Sequence, residues 1–130
     1  MTQPTAVRTD GAPAPLQGAP YSQAIVAGEL VFVSGQVGLD PATGALVEGG
    51  IVAQTRQVFA NLGAILEAAG SGLDRIVKTT VFLTDLSDFT EMNETYRTFV
   101  AVPPPARSTI EISKLPAGAT IEIECVALRR

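Results

Sequence analysis

Histidine is absent from this sequence, cysteine occurs once, and only nine of the 130 residues are lysine or arginine. Each scarcity removes a class of chemistry. Without histidine there is no imidazole acid–base catalyst, no Ser-His or Cys-His nucleophile pair, and no ordinary catalytic zinc site. The lone Cys125 excludes an intrachain disulfide and any multi-thiolate metal centre. Thirteen acidic residues against nine basic ones leave a net charge of −4, which argues against broad, charge-driven binding of nucleic acid. A local cationic pocket for a small acid stays open. No apolar run approaches the roughly 20 residues that a membrane-spanning helix needs. The opening "MTQPTAVRTDGAPAPLQ" has neither a basic start nor an apolar core, so a secretory signal is not expected and a cytoplasmic location is. Carboxylates, arginine, hydroxyls, tyrosine and backbone groups remain for any chemistry.

What is present fits one compact domain over residues 1–130: hydrophobic residues make up 46% and charged residues 17%. Residues 1–18, rich in Pro, Ala and Gly, read as an extended arm with at most one short strand at "TAVRT". "QAIVAGELVFVSGQV" reads as a hairpin turning at Gly28-Glu29, and "DPATGALVEGG" as a loop. Ile51 to Ala69 places Val58, Phe59, Leu62, Ile65 and Leu66 on one helical stripe, with Gly70 at the position of a left-handed cap. A β-branched strand at 75–83, a turn at Asp85 to Asp88, a shorter helix from Phe89 to Phe99 and two strands at 106–112 and 120–128 complete the chain. The order predicts an α+β fold, a single mixed β-sheet with two helices packed on one face. On the last strand Val126 and Leu128 share a face with Glu122 and Glu124, so the uncovered side of the sheet carries apolar surface, and an oligomer is expected.

The chemistry-bearing residues cluster in "PARSTIEISKLPAGATIEIEC". Arg107 shares the face of both glutamates if an antiparallel register of the last two strands places it opposite Glu124 or Val126, a register that sequence alone does not fix. Two readings follow. A cross-strand ion pair of Arg107 with Glu124 contributes up to about 1 kcal/mol and does nothing else. Alternatively, the guanidinium fork holds a substrate carboxylate while a nearby glutamate acts as base toward water. Elsewhere Tyr21 is either an anchor for the arm or a pocket residue, Ser34-Gly35 a strand end or a pocket wall, and Asn93 a solvated helix residue or a ligand contact. Cys125 reads as core packing.

The wording of that segment resembles the signature of the Rid/YjgF family of reactive-intermediate (imine/enamine) deaminases: Pro-Ala-Arg, a strand, a Leu-Pro turn, then Ile-Glu-Ile-Glu. The similarity continues through "APYSQA", "VFVSGQVGLDPATG", "EAAGSGLDRIVKTTVFLTDLSDFTEMNETY" and "VALRR", in the family's order from about residue 19 onward. It implies a chorismate-mutase-like fold assembled as a homotrimer with clefts between subunits. It also implies hydrolysis of 2-aminoacrylate and 2-iminobutyrate to 2-keto acids and ammonia, without metal or cofactor. Carried over, Arg107 holds the substrate carboxylate, Glu122 activates water, Tyr21 and Ser34 line the pocket, Gly35 lets the backbone approach the ligand, and Asn93 lies in the same neighbourhood. Glu124 is left as a partner positioning Arg107. The linker "FVAVPPPARS" is shorter than in many relatives, and Thr109 stands where some carry a cysteine. Two other readings remain: a non-catalytic, small-carboxylate-binding regulatory trimer, and an RNA-directed translation inhibitor, which the acidic composition disfavours.

Overall fold

The computed structural model describes residues 3–130. Its six strands, β1 (Thr5–Val7), β2 (Ala24–Ala27), β3 (Leu30–Val37), β4 (Ile76–Leu83), β5 (Ala106–Glu111) and β6 (Ile121–Leu128), form one sheet in the spatial order β1-β2-β3-β6-β4-β5. The arm is docked: β1 (Thr5–Val7) pairs antiparallel with β2 (Ala24–Ala27). Buried Gln23 ties down the residues that follow. Its Oε1 accepts from Thr9 N–H at 2.8 Å, and its Nε2 donates to the carbonyls of Thr9, Ala12 and Pro13 at 3.0, 3.2 and 2.9 Å. β2 turns into β3 (Leu30–Val37) through Gly28-Glu29, where the left-handed φ of 60° at Gly28 suits a two-residue hairpin turn.

Helix α1 (Gly50–Ala68) lays Val58, Phe59, Leu62, Ile65 and Leu66 on the sheet, all fully buried. Gly70, with φ of 78°, ends it as expected: its N–H donates to Glu67 and the Ser71 N–H to Leu66, so two terminal carbonyls are satisfied. Buried polar residues on α1 also anchor the loops at one end of the sheet. Asn61 Nδ2 donates to the carbonyls of Val37 and Leu39, and Gln54 Oε1 accepts from the backbone N–H and hydroxyl of Thr120. The segments following β3 and preceding the last strand are thereby held to a rigid helix.

β4 (Ile76–Leu83) leads through a short turn, where Asp85 accepts from Ser87 N–H at 2.9 Å, into α2 (Phe89–Arg97), two residues shorter than expected. α2 returns the chain to β5 (Ala106–Glu111), which runs parallel to β4. β6 (Ile121–Leu128) lies antiparallel between β3 and β4. The two helices cover one face, where Phe59 stacks on Phe99 (ring centroids 4.8 Å) and meets Tyr96 edge-on (5.4 Å). The mixed sheet with two helices on one side is as the sequence predicted.

The expected pairing of the last two strands is not what forms. β4 lies between them, so Arg107 sits beside Thr79, and Glu124 beside Thr80. The reason is burial. β4 and β6 each offer several apolar residues to the helices, Ile76, Val81 and Leu83 on one, Ile121, Ile123 and Ala127 on the other. β5 offers only Arg107, Thr109 and Glu111 on that side, none of them apolar, and fits an edge. The opposite face is uncovered and partly apolar, with Leu30 and Phe32 exposed beside Leu128 and Val126, and Ile110 exposed on β5 beside Phe82. Among the described residues no helix is long and apolar enough to cross a membrane.

Candidate functional site: two half-sites on opposite faces of the sheet

Side chains alternate along β6, so Glu122 and Glu124 project from the uncovered face while Ile121, Ile123 and Cys125 enter the core. Opposite them β3 is irregular: the register shifts between Val33 and Gln36, which leaves Ser34 and Gly35 in a bulge. Glu122 uses the space this opens. A β-carbon at Gly35 would lie 2.7 Å from Glu122 Cδ and 2.8 Å from Oε1, so the carboxylate rests on the Gly35 backbone and only glycine leaves room for it there.

That seat is electrostatically unfavourable for a carboxylate anion. Burial, and then the neighbouring Glu124 charge, push the Glu122 pKa above its ordinary value, and among the described residues no hydrogen bond offsets them. An open cleft of about 780 Å³ lies over it, walled by Tyr21, Ser34, Gly35, Pro116 and Glu124. Tyr21 Oη accepts from Leu16 N–H at 2.8 Å and Ser34 Oγ donates to the Ser22 carbonyl at 2.6 Å. Tyr21 is thus both the anchor of the arm and a wall of the cleft. Its hydroxyl hydrogen stays free to be donated, and Ser34 keeps acceptor capacity.

Arg107 belongs to a different place. Its neighbour Thr79 is wholly buried on the helix side and shares a 2.7 Å hydrogen bond between hydroxyls with Tyr96. The Arg107 guanidinium carbon lies 4.9 Å from the Tyr96 ring centroid and 5.6 Å from that of Phe89, a two-ring platform supplied by α2. It pairs with no carboxylate among the described residues. A cleft of about 490 Å³ opens beside it, lined also by Asn93, Arg97 and the 100–105 linker. Buried Asn93 Oδ1 and Thr109 Oγ1 both lack a hydrogen-bond partner.

The six sequence-predicted site residues therefore divide. Tyr21, Ser34, Gly35 and Glu122 share one cleft, Asn93 and Arg107 the other, and the two open on opposite faces of the sheet. The Arg107–Glu124 ion pair is absent, because β4 separates the strands that carry them. Glu124 instead lines the Glu122 cleft and acts on that carboxylate. Cys125 is buried, and burial followed by the Glu124 charge pushes its thiol up to about 12. Sequence reasoning missed Arg97 and the Tyr96–Phe89 platform. The signal was present, since Arg97 follows Asn93 by one helical turn and shares its face.

Residues 11–129 match the family model described as Endoribonuclease L-PSP. The mouse protein named 2-iminobutanoate/2-iminopropanoate deaminase is 45% identical over 95% of this chain and 90% of its own. A RutC family protein of Pyrococcus horikoshii is 49% identical over 93% of this chain and 94% of its own. The crystal structure of RidA from an Antarctic Psychrobacter superposes with a TM-score of 0.91 at 45% identity, covering 95% of this chain and 98% of that one. With a family model spanning nearly all of its length, and relatives this similar in both sequence and fold, the chain belongs to the Rid/YjgF family.

Proposed function

We propose that the chain is a hydrolytic deaminase of small 2-imino acids, working as a homotrimer in which Glu122 of one subunit faces Arg107 of the partner subunit. The observation that carries this reading is the division of the site. A carboxylate with a raised pKa and an unpaired guanidinium each occupy an open cleft, and no single chain can apply both to one small substrate. The exposed apolar residues beside the glutamates supply a surface on which copies close.

In this reading Arg107 holds the substrate carboxylate through its guanidinium fork. Water attacks the carbon of the protonated imine as Glu122 takes its proton, which gives a neutral carbinolamine. Glu122 returns that proton to the nitrogen and then takes the carbinolamine hydroxyl proton as the carbon–nitrogen bond breaks, so that ammonia and a 2-keto acid leave. An enamine such as 2-aminoacrylate enters after tautomerising to its imine. The raised pKa of Glu122 suits these transfers, since a carboxyl group closer to the working pH returns its proton more readily. Imines hydrolyse unaided, so positioning plus one base is sufficient apparatus. The names of the mouse and Psychrobacter relatives support the same substrate class.

The family model's description favours a second reading, action on RNA. Net charge −4 and the absence of histidine weigh against it. A third, a regulatory trimer that binds carboxylates without turnover, leaves the seating of Glu122 on Gly35 without a purpose. One experiment separates all three. 2-Iminobutyrate is generated in situ with an amino-acid oxidase, and its loss is followed with wild type, Arg107→Ala and Glu122→Gln. Faster loss with wild type than with buffer, reduced on the order of 100-fold in both variants, is expected. Wild type no faster than buffer overturns the deaminase, and degradation of a single-stranded RNA by the same preparation would substitute the ribonuclease.

A further inference from the structure

A second cation lines the cleft that holds Arg107. Arg97 lies one helical turn beyond Asn93 on α2, and both border the same 490 Å³ space. Neither Arg97 nor Arg107 pairs with a carboxylate among the described residues, and no acidic side chain lines the cleft. Arg97 and Arg107 line one cleft, and Tyr96, which carries Arg107 on its ring, lies between them in the wall of that cleft. In a chain with nine basic and thirteen acidic residues, two cations without a counter-charge form a local positive field. Arg97 does stand in the last turn of its helix, where the helix dipole favours a cation. That accounts for a basic residue at 97 but not for the lack of an ion-pair partner among the described residues.

We propose that Arg97 reads a second carboxylate, so that the cleft prefers 2-imino and 2-keto dicarboxylates with a short aliphatic spacer over the corresponding monocarboxylates. This rests on the proposed role of Arg107 as holder of the first carboxylate. A ligand with one anionic group neutralises one guanidinium, whereas a dianion neutralises both and relieves their mutual repulsion. The rest of the wall, Val100, Ala101, Val102, Pro104 and Pro105, is apolar and suits the methylenes between the two acid groups. Arg97 is exposed, so its effect is modest and sensitive to salt.

Calorimetric titration of the full chain with 2-oxobutanoate and 2-oxoglutarate tests this, because keto acids are stable and binding is read without turnover. At low salt wild type is expected to bind 2-oxoglutarate about fivefold more tightly than 2-oxobutanoate. The ratio, taken within each protein, falls to near one in Arg97→Gln, is largely kept in Arg97→Lys, and shrinks as salt is raised. Equal affinities in wild type, no binding of either acid, or an unchanged ratio in Arg97→Gln overturns the proposal. So does dissociation of Arg97→Gln into smaller species where wild type stays assembled, which would place the cation in an intersubunit ion pair. A protein that holds keto diacids but hydrolyses no imine overturns the deaminase reading and leaves this one standing.

Discussion

The Glu122 carboxylate rests directly on the backbone of Gly35, so close that a single methyl group there would lie 2.7 Å from its Cδ. Gly35→Ala is therefore expected to swing the carboxylate out of position while costing the fold little, since the displaced group is the end of a flexible side chain. Imine turnover should fall by about tenfold or more while thermal stability stays near that of wild type. A fully active Gly35→Ala protein would show that the seat has no bearing on catalysis.

Glu122→Gln keeps the shape and removes the proposed base, so kcat should drop by roughly 100-fold or more. The same change should stabilise the protein at neutral pH. Because the fold raises the Glu122 pKa, the neutral acid is favoured, and its contribution to stability is complete below the ordinary glutamate pKa and lost as pH rises through the raised one. The Tm difference between Glu122→Gln and wild type should therefore grow from acid toward neutral pH. A difference independent of pH would contradict it.

Glu124 is the second cause of that raised pKa, after burial. In Glu124→Gln the acid limb of the pH–kcat/KM profile should move to lower pH, toward the ordinary carboxylate range. Movement to higher pH, or none, would remove Glu124 from the electrostatics of the site.

Arg107 owes its position to Tyr96 and Phe89 rather than to any acidic partner. Arg107→Ala should lower kcat/KM on the order of 100-fold, and Arg107→Lys should recover only part, because an ammonium lacks the planar fork and stacks less well. Full rescue by lysine, measured with the same imine, would reduce the contact to simple charge.

Phe32 is nearly half exposed, at 45%, in the middle of the uncovered face and directly beside Val126. Phe32→Asp should give a folded monomer by light scattering, with imine turnover lost even though neither half-site is altered. An active monomer would refute the shared cleft.

The helices, strands and turns were legible because local chemistry dictates them. The α1 stripe at three- and four-residue spacing, Gly70 as a left-handed cap, Gly28-Glu29 as a tight turn and the in–out alternation of "IEIECVAL" each express a preference that neighbouring residues settle among themselves. Cys125 was readable for the same reason: its parity along β6 assigns it to the core, with Ile121 and Ile123.

The sequence by itself determined the α+β class, the family and the chemical types available, since periodicity, motif wording and the lack of histidine are properties of the chain alone. Only the tertiary structure decided that β4 enters between β5 and β6. That is a contest for burial among strands far apart in sequence, and β4 wins it because it brings more apolar surface to the helices than β5 does. With this insertion Arg107 and Glu122 lie on opposite faces of the sheet, and two separate clefts stand where an intrachain ion pair was expected.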